Sequence, residues 1–233
     1  MAGERLLRIL ARLSSAPGTE PSSAHLCTVA AEVTGMSGAG IMLMSRTGAQ
    51  VSLCSSNAVS ATIEDLQYTL GEGPCVDAYH HDQPVLEPDL ADPRAARWLA
   101  FSPPAVRAGA RAVFGFPINS GPVRLGALNL YRDQPGPLTH DQHADSLVMA
   151  DVAARTVIAM QAAADPGALP AALEDFASLR AVVHQATGMV SVQLGVSVSE
   201  ALVRMRAFAF SNNRALNDVA KDVVGRQLRF EEQ

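Results

Sequence analysis

Hydrophobic residues recur at intervals of three and four positions between residues 172 and 230, and this pattern predicts three amphipathic helices. The first stripe is Leu173, Phe176, Leu179, Val183, Ala186 and Val190, the second is Val198, Ala201, Leu202, Met205, Phe208 and Ala209, and the third is Leu216, Val219, Ala220, Val223 and Val224. Gly195 and a capping pair, Ser197 with Glu200, separate the first two helices. A turn at 211–213 follows, and its asparagines can cap the next helix. No single helix could bury its apolar face alone, so the three must pack together or against a partner.

The polar positions of the first of these helices are the next informative feature. Arg180, His184 and Thr187 follow one another at spacings of four and three, so we expect them to share a helical face. Gly188 lies in mid-helix, where glycine costs about 1 kcal/mol relative to alanine. That cost suggests that a neighbouring helix or a ligand approaches the backbone there. Spacing alone also fits a dimerisation module whose polar face is only solvated.

Two pairs of strand-like runs precede this segment, flanked by helical runs. Strands are predicted at 39–45, 50–55, 110–118 and 123–131, and helices at 24–34, 59–70 and from a capping box, Thr139 to Gln142, to about 164. This order predicts an α+β domain with an antiparallel sheet covered by helices. A Pro/Gly-rich break at 165–170 marks the domain boundary.

Composition and charge narrow the picture. The chain of 233 residues is 48% hydrophobic with a net charge of −5, so only a local basic patch could contact nucleic acid. Cys27, Cys54 and Cys75 are odd in number and widely spaced, which predicts no disulfide framework and a reducing cytoplasm.

Residues 1–15 form an amphipathic stripe interrupted by charges, so we expect a helix that packs against a partner helix and no membrane span.

The C-terminal segment resembles the ANTAR domain, the RNA-binding output module of bacterial transcription antiterminators. The residues that carry the resemblance are Val183 to Met189, Glu200 and Ala201, Asn213 to Leu216, and Asp218 to Ala220. The resemblance implies binding to tandem RNA hairpins in nascent transcripts, usually by a dimer. Thr187 departs from the family pattern, which has a lysine there, so one phosphate-seeking cation is missing.

From this resemblance we predict an RNA-binding cluster, and its residues are Arg180, His184, Thr187, Asn212, Asn213, Arg214 and Lys221. The three cations would hold phosphates. The two asparagines would be either turn caps or readers of base edges, with capping favoured. The histidine could stack on a base or lie in a helix interface.

The preceding domain resembles a GAF domain, and more closely the GAF domains that precede ANTAR modules in actinobacteria. The residues that carry the resemblance are 70–75, 84–85, 112–118 and 125–131. GAF domains bind cyclic nucleotides, haem, bilins, small metabolites or nothing, so the resemblance implies a sensor without naming its ligand. Our candidate ligand contacts are Cys75, Trp98, Phe114 and Phe116.

Cys75 could be a redox sensor or a nucleophile, because it follows a glycine-rich corner and precedes a helix. The simpler reading is a small buried residue in a tight loop, which we favour. A related alternative is a thiol-dependent GAF-type reductase, which would need a second thiol nearby. His80 and His81 find no third ligand at a metal-like spacing, and no common catalytic fingerprint occurs. We therefore expect no metal, no cofactor and no enzymatic activity.

Together these features predict a cytoplasmic one-component regulator in four segments. These are an N-terminal amphipathic helix and link (1–21), a GAF-like sensor domain (22–164), a linker (165–171) and an all-α three-helix ANTAR-like domain (172–233). We expect a homodimeric, signal-responsive transcription antiterminator with a small-molecule ligand at the sensor. The alternative is a GAF dimer whose helical tail mediates protein–protein regulation without RNA.

Overall fold

A computed structural model of the protein describes residues 2–15, 23–45, 50–95, 97–163, 171–212 and 214–231, with the side chains of 171–180 outside the description. The helices are α1 (Ala2–Ser14), α2 (Ser23–Thr34), α3 (Ala58–Leu70), α4 (Pro74–His81), α5 (Ser102–Arg107), α6 (His140–Ala163), α7 (Ala171–Leu194), α8 (Val198–Ser211) and α9 (Leu216–Val224). The strands are β1 (Gly38–Met44), β2 (Gln50–Ser55), β3 (Val85–Glu87), β4 (Ala112–Ser120) and β5 (Val123–Arg132). A 3₁₀ turn, Pro93–Ala95, lies before α5.

The strands form one five-stranded antiparallel sheet in the order β2-β1-β5-β4-β3. The long hairpin of β4 and β5 is paired from Ala112 opposite Arg132 to Ser120 opposite Val123. Gly121 closes its turn with a φ of 56°, in the left-handed region that glycine adopts without strain. The predicted α+β class and antiparallel sheet are confirmed.

One face of the sheet is covered by α1, α2 and α6. Alternate residues of β4, namely Phe114, Phe116 and Ile118, point into this layer with Leu128 of β5 because successive strand residues face opposite sides. The opposite face is covered by α3, α4 and α5, which bury Trp98 and other apolar side chains. The sheet thus separates two cores within the sensor domain.

The capping box predicted at α6 is present in full, and the one predicted at α8 is present in its Ser197 half. At α6, the backbone N–H of Gln142 donates to Thr139 Oγ1 at 3.2 Å, and the N–H of Thr139 donates to Gln142 Oε1 at 3.0 Å. At α8, the N–H of Glu200 donates to Ser197 Oγ at 3.2 Å. These bonds satisfy N–H groups that a helix start would otherwise leave unpaired.

Helix α1 lies against α6 and α2, which confirms the predicted amphipathic helix with a partner helix. Ile9 is fully buried in the core beneath it. Asp145 of α6 accepts hydrogen bonds from Arg5 Nη1 at 2.7 Å and Arg8 Nη2 at 2.6 Å. Asp141, one turn earlier, accepts a third from Arg5 at 2.5 Å.

The prediction that the three cysteines form no disulfide is wrong. Cys27 of α2 and Cys54 of β2 are joined by a disulfide with their Cα atoms 6.0 Å apart, 27 residues apart in the sequence. Cys75 is a free, buried thiol. The sequence spacing does not reveal this pair of cysteines, because it is the tertiary fold that places α2 across the edge strand β2.

Helices α7, α8 and α9 form the predicted three-helix unit and also pack on the sensor domain. Their core includes Val183, Met205 and Val219, and it is continuous with sensor residues such as Met42 and Tyr68. Helix α7 lies along β2 and α8 approaches α3. Among the described helices, no single one is long and apolar enough to cross a membrane; the bent pair Ala181–Leu194 and Val198–Ser211 meets the length and composition test.

Candidate functional site

The predicted RNA-binding face of α7 is divided between solvent and core. His184 is exposed. Thr187 is only 2% exposed, and its hydroxyl donates to the Val183 carbonyl at 2.6 Å and lies 3.7 Å from Met205 Sδ. The prediction that Thr187 shares the exposed face is therefore wrong: a step of three residues turns the helix by about 60° relative to His184, which carries Thr187 into the interface with α8. The side chain of Arg180 lies outside the described residues.

The turn between α8 and α9 departs from the prediction in one respect. Asn212 ends α8: its N–H donates to the Phe208 carbonyl at 3.1 Å, and its side-chain Nδ2 donates to the same carbonyl at 2.9 Å. It therefore caps the preceding helix and not the next one. Ala215 stands at the N-cap position of α9, which has no side-chain cap. Asn213 lies outside the described residues.

Arg214 and Lys221 are both exposed and both lie against carboxylates of α9. Arg214 Nη2 is 2.5 Å from Asp222 Oδ2, and Lys221 Nζ is 3.3 Å from Asp218 Oδ1. Exposed ion pairs of this kind contribute about 0–1 kcal/mol, so a phosphate can exchange for the carboxylate at little cost. The structure thus places both predicted cations beside α9, Lys221 on the helix and Arg214 in the turn before it, with their side chains near the helix surface.

Gly188 leaves an open position in the middle of α7. A methyl group there would meet no described atom within 4 Å apart from the helix's own backbone. The neighbouring helix that the sequence suggested is therefore not the cause of this glycine among the described residues. A ligand, the other reason that the sequence suggested, stays a prediction.

Arg206 of α8 joins the two domains, and the sequence patterns did not single it out. Its Nη2 donates to the Tyr68 carbonyl of α3 at 2.6 Å, and its guanidinium lies 5.9 Å from the centre of the Tyr68 ring. Gly71, with a φ of 71°, leaves the space that the guanidinium fills. The available signals were an arginine directly beside the apolar stripe of α8 and the glycine-rich corner at 71–73.

The four candidate ligand contacts of the sensor domain do not converge on one pocket. Phe114 and Phe116 face the core under α2 and α6, whereas Cys75 is a residue of α4, on the opposite face of the sheet. Trp98 belongs to the separate core beside α5, where its Nε1 donates to Asp77 Oδ2 at 3.0 Å. Phe114 reaches a surface cleft of about 420 Å³ that His143 also lines, and Trp98 reaches a different one of about 400 Å³.

Cys75 has the environment of a structural thiol. It is fully buried, and burial, followed by the nearby charge of Glu64, raises the pKa of its thiol far above the ordinary value. Its backbone N–H donates to Gln67 Oε1 at 2.8 Å. Because the thiolate is the reactive form, this position disfavours nucleophilic chemistry. Cys27 and Cys54, the second thiols that a reductase would need, are bonded to each other in the core across the sheet.

A buried polar group under α3 was also missed by the sequence patterns. Glu64 is 1% exposed, and its Oε2 accepts hydrogen bonds from Ser52 and, at 3.0 Å, from Ser55. Gly40 provides the space for this carboxylate. Asn129 of β5 lies beside Gly40 in the sheet, and its buried side-chain amide has no hydrogen-bond partner among the described residues.

His80 and His81 end α4 and are exposed. In the part of the chain that the structure describes, no three His, Cys, Asp or Glu side chains come together as a metal-binding group.

A cleft of about 530 Å³ lies between the sensor domain and the C-terminal helices. Its sensor side comes from the end of α3 and from α5 with the loop before it, and its other side from the α8–α9 turn. The lining residues include Leu70, Leu99, Arg107, Phe210 and Arg214.

Comparison with protein families decides the identity of both domains. Residues 23–160 match the family model of the GAF domain, and residues 171–224 match that of the ANTAR domain. The chain belongs to the GAF domain family. Its GAF domain is followed by an ANTAR domain, as predicted. A GAF domain paired with an ANTAR domain is a regulatory arrangement, that of signal-responsive, RNA-binding antitermination regulators, and not a catalytic one.

Solved structures share the GAF fold at low sequence identity. The GAF domain of a phosphoenolpyruvate-protein phosphotransferase from Coxiella burnetii is 16% identical with a TM-score of 0.53, covering 69% of this chain and 95% of that one. The corresponding domain from Acinetobacter is 13% identical with a TM-score of 0.51, covering 70% and 96%.

A free methionine-R-sulfoxide reductase from Neisseria meningitidis, solved with its substrate, is 17% identical with a TM-score of 0.50, covering 70% and 92%. These likenesses show the fold alone. No curated protein matches the chain.

Proposed function

We propose that this GAF–ANTAR protein is a one-component, signal-responsive antiterminator that binds tandem RNA hairpins in nascent transcripts through its ANTAR domain. The observation that carries the proposal is the pair of exposed cations, Arg214 in the turn before the ANTAR helix α9 and Lys221 on that helix, in an otherwise acidic chain. Phosphate contacts made by such cations release counterions and supply most of the affinity for RNA. His184, exposed on α7, is the proposed base-stacking residue.

Homodimerisation through α1 and α6 is part of the proposal. Leu7 and Leu10 of α1, and Leu147 and Ile158 of α6, are large apolar side chains that are 40% or more exposed. Two packed helices that carry such residues on their outer surface are suited to an apolar contact with a second copy. A dimer would present two ANTAR domains to two hairpins. We place this activity in the cytoplasm, where transcripts emerge.

The proposed sensory input is a small molecule at the GAF domain. The buried Glu64 and Asn129 are the polar groups under α3 that would contact it. Binding there would act on α7 through β1 and β2, against which the ANTAR helices pack. A ligand shifts such an equilibrium only by its difference in affinity for the two states.

The test measures binding of the full-length protein to a labelled tandem-hairpin RNA at two salt concentrations. Arg214→Ala is compared with Arg204→Ala, a matched exposed arginine of α8 that pairs with Glu200. We expect binding that weakens with salt, is lost or strongly reduced in Arg214→Ala, and is unchanged in Arg204→Ala. Equal RNA binding by both variants would contradict the proposal that RNA binds at the surface formed by α9 and the turn before it.

The second candidate function is protein–protein regulation by the ANTAR helices without RNA. The observation that favours it is the exposure of Val192, Val203 and Phe210 on α7 and α8. Absence of RNA binding at low salt by a folded dimer would support this candidate over the first.

A further inference from the structure

The cleft between the GAF and ANTAR domains combines apolar walls with positive charge. Arg107 and Arg214 line it from opposite domains, and none of its described lining residues is a carboxylate. The whole chain carries a net charge of −5, so a cleft lined by two cations is a local reversal of sign. Such a cleft selects a ligand that is anionic and also has an apolar surface.

Two large apolar side chains that line this cleft are exposed to solvent. Phe210, in the last turn of α8, is 62% exposed, and Leu99, before α5, is 77% exposed. Aromatic side chains presented beside cations are the surfaces on which unpaired bases stack in RNA recognition. The exposed aromatic ring and the two arginines together suit one nucleotide of an RNA chain. Its base would stack on Phe210 and its phosphates would lie at Arg107 and Arg214.

Arg107 is the cation with the greater freedom to bind an anion. It lies at the end of α5 and is exposed, and its side chain makes no hydrogen bond or ion pair with any residue that the structure describes. Arg214, in contrast, is held by Asp222 at 2.5 Å. An anion at Arg107 displaces no protein partner.

We infer that this cleft holds an unpaired loop nucleotide of the bound RNA hairpin, so that the GAF domain itself contributes Arg107 to the RNA interface. The inference rests on the proposed RNA binding and extends it, because Arg214 belongs both to the proposed RNA surface and to the cleft. RNA is favoured over a free nucleotide for the same reason: the cleft is continuous with that surface. One consequence is that bound RNA would contact both domains and so stabilise the GAF–ANTAR interface.

The test begins with RNA selected on the full-length protein from a pool of two-hairpin RNAs with randomised loops. Binding is then measured for Arg107→Ala and Phe210→Ala. Arg94→Ala is the matched control, since Arg94 is also an exposed arginine of the GAF domain but does not line the cleft. Phe210→Trp keeps an aromatic surface and tests rescue.

We expect Arg107→Ala to weaken binding and to reduce the slope of log affinity against log salt by about 0.7, the loss of one single-strand phosphate contact. Phe210→Ala should weaken binding roughly ten-fold, and Phe210→Trp should restore it. Arg94→Ala should bind as the unaltered protein does. With 5-iodouridine in the selected loop, irradiation should cross-link the RNA at Phe210. Thermal melts should be unchanged, because both residues are exposed.

Each contrary result has a distinct meaning. Unchanged binding by Arg107→Ala and Phe210→Ala, with loss in Arg214→Ala, would overturn the inference and leave the proposed function intact. Failure to select any RNA would overturn both. Binding of free nucleoside triphosphates that depends on Arg107, while RNA binding does not, would overturn the inference in favour of a small-ligand site.

Discussion

Gly188 is a residue at which one substitution should stabilise the helix and weaken RNA binding. The position is open, so an added methyl group meets no described atom within 4 Å beyond its own helix. We predict that Gly188→Ala raises the free energy of unfolding by about 1 kcal/mol, because alanine favours the helix. We also predict weaker RNA binding, because the methyl group blocks close approach to the α7 backbone. Denaturant unfolding and RNA titration of the same preparation check the two effects.

A Gly188→Ala variant that gains stability and keeps full RNA binding and dimerisation would show that nothing approaches α7 there. Gly195→Ala is an unsuitable control, since Gly195 has a φ of 63° and alanine would be strained. Ala181→Ser, at an exposed position of the same helix, is the better one.

Arg206 is the residue whose loss should loosen the ANTAR domain from the GAF domain. Its guanidinium donates to the Tyr68 carbonyl at 2.6 Å in a partly buried position. We predict that Arg206→Ala lowers the free energy of unfolding by about 1–3 kcal/mol, the usual contribution of a hydrogen bond to a charged group. Urea unfolding measures this loss.

Arg204→Ala is the matched control for Arg206, two positions away on α8. Arg204 is exposed and pairs with Glu200 one turn earlier, so its loss should cost only about 0.3–0.5 kcal/mol. Equal effects of the two substitutions would argue against the interdomain role of Arg206.

For single residues, the sequence indicated which side chains could bind RNA better than it indicated whether they are exposed or buried. Arg214 and Lys221 were expected to be exposed and are. Thr187 was misjudged and Arg206 was not singled out, because both lie where α8 meets another element. Such contacts depend on helix rotation, which a spacing of three or four residues leaves uncertain by tens of degrees. Asn212 was assigned to the wrong helix because an asparagine can end one helix as readily as begin another.

Docking of α1 on α6 should depend on pH in a defined direction. Hydrogen bonding by the Arg5 side chain lowers the pKa of Asp141 below its ordinary value. A carboxyl group with a lowered pKa stabilises the fold fully above the unfolded value of about 3.9, and that stability is lost as the pH falls through the folded value. We therefore predict that this contribution to α1 docking persists at pH 5 and is lost only below about pH 4.

Hydrogen exchange of the α1 amides measures this docking. Protection should fall as the solution is acidified below the ordinary carboxyl range, and Arg5→Ala should reduce protection at neutral pH and flatten its dependence on pH. Protection that declines between pH 7 and 5 would contradict the assignment to Asp141.

The Cys27–Cys54 disulfide ties α2 to the edge strand β2, and its reduction should weaken that attachment. For a separation of 27 residues, the loop-entropy relation gives about 3–4 kcal/mol of stabilisation. We predict a lower midpoint of thermal unfolding after treatment with dithiothreitol. The double variant Cys27→Ser/Cys54→Ser should show no response to the reductant.

Thiol titration in denaturant provides the direct count for this prediction. One thiol, Cys75, should react before reduction and all three cysteines after it. Three reactive thiols in protein purified without reductant would contradict the disulfide.

Elements were the part of the fold that the sequence predicted best. The two hairpins, the capping box of α6, the Ser197 cap of α8 and the three C-terminal helices were all expected from periodicity and cap residues, and boundaries differ by one or two residues. The pairing of Cys27 with Cys54 depends on contacts between distant segments. Local patterns do not encode such contacts.

For the whole molecule, the decisive feature is the core that the two domains share. Met42 and Tyr68 of the GAF domain belong to the same apolar cluster as Val183 and Met205 of the ANTAR domain. We predict that the full chain unfolds in a single cooperative transition, since exposing either half of a shared core destabilises the other. Calorimetry checks this, and two resolved transitions would contradict it.

Shared burial also constrains how this protein can evolve. An output domain recruited from another regulator would bring no partner for the surface around Tyr68 and no guanidinium to fill the space above Gly71. A recombination event between residues 164 and 171 would thus join ill-fitting halves. We therefore expect sensor and output to change together in related chains, with changes at Tyr68 or Gly71 accompanied by changes at Arg206.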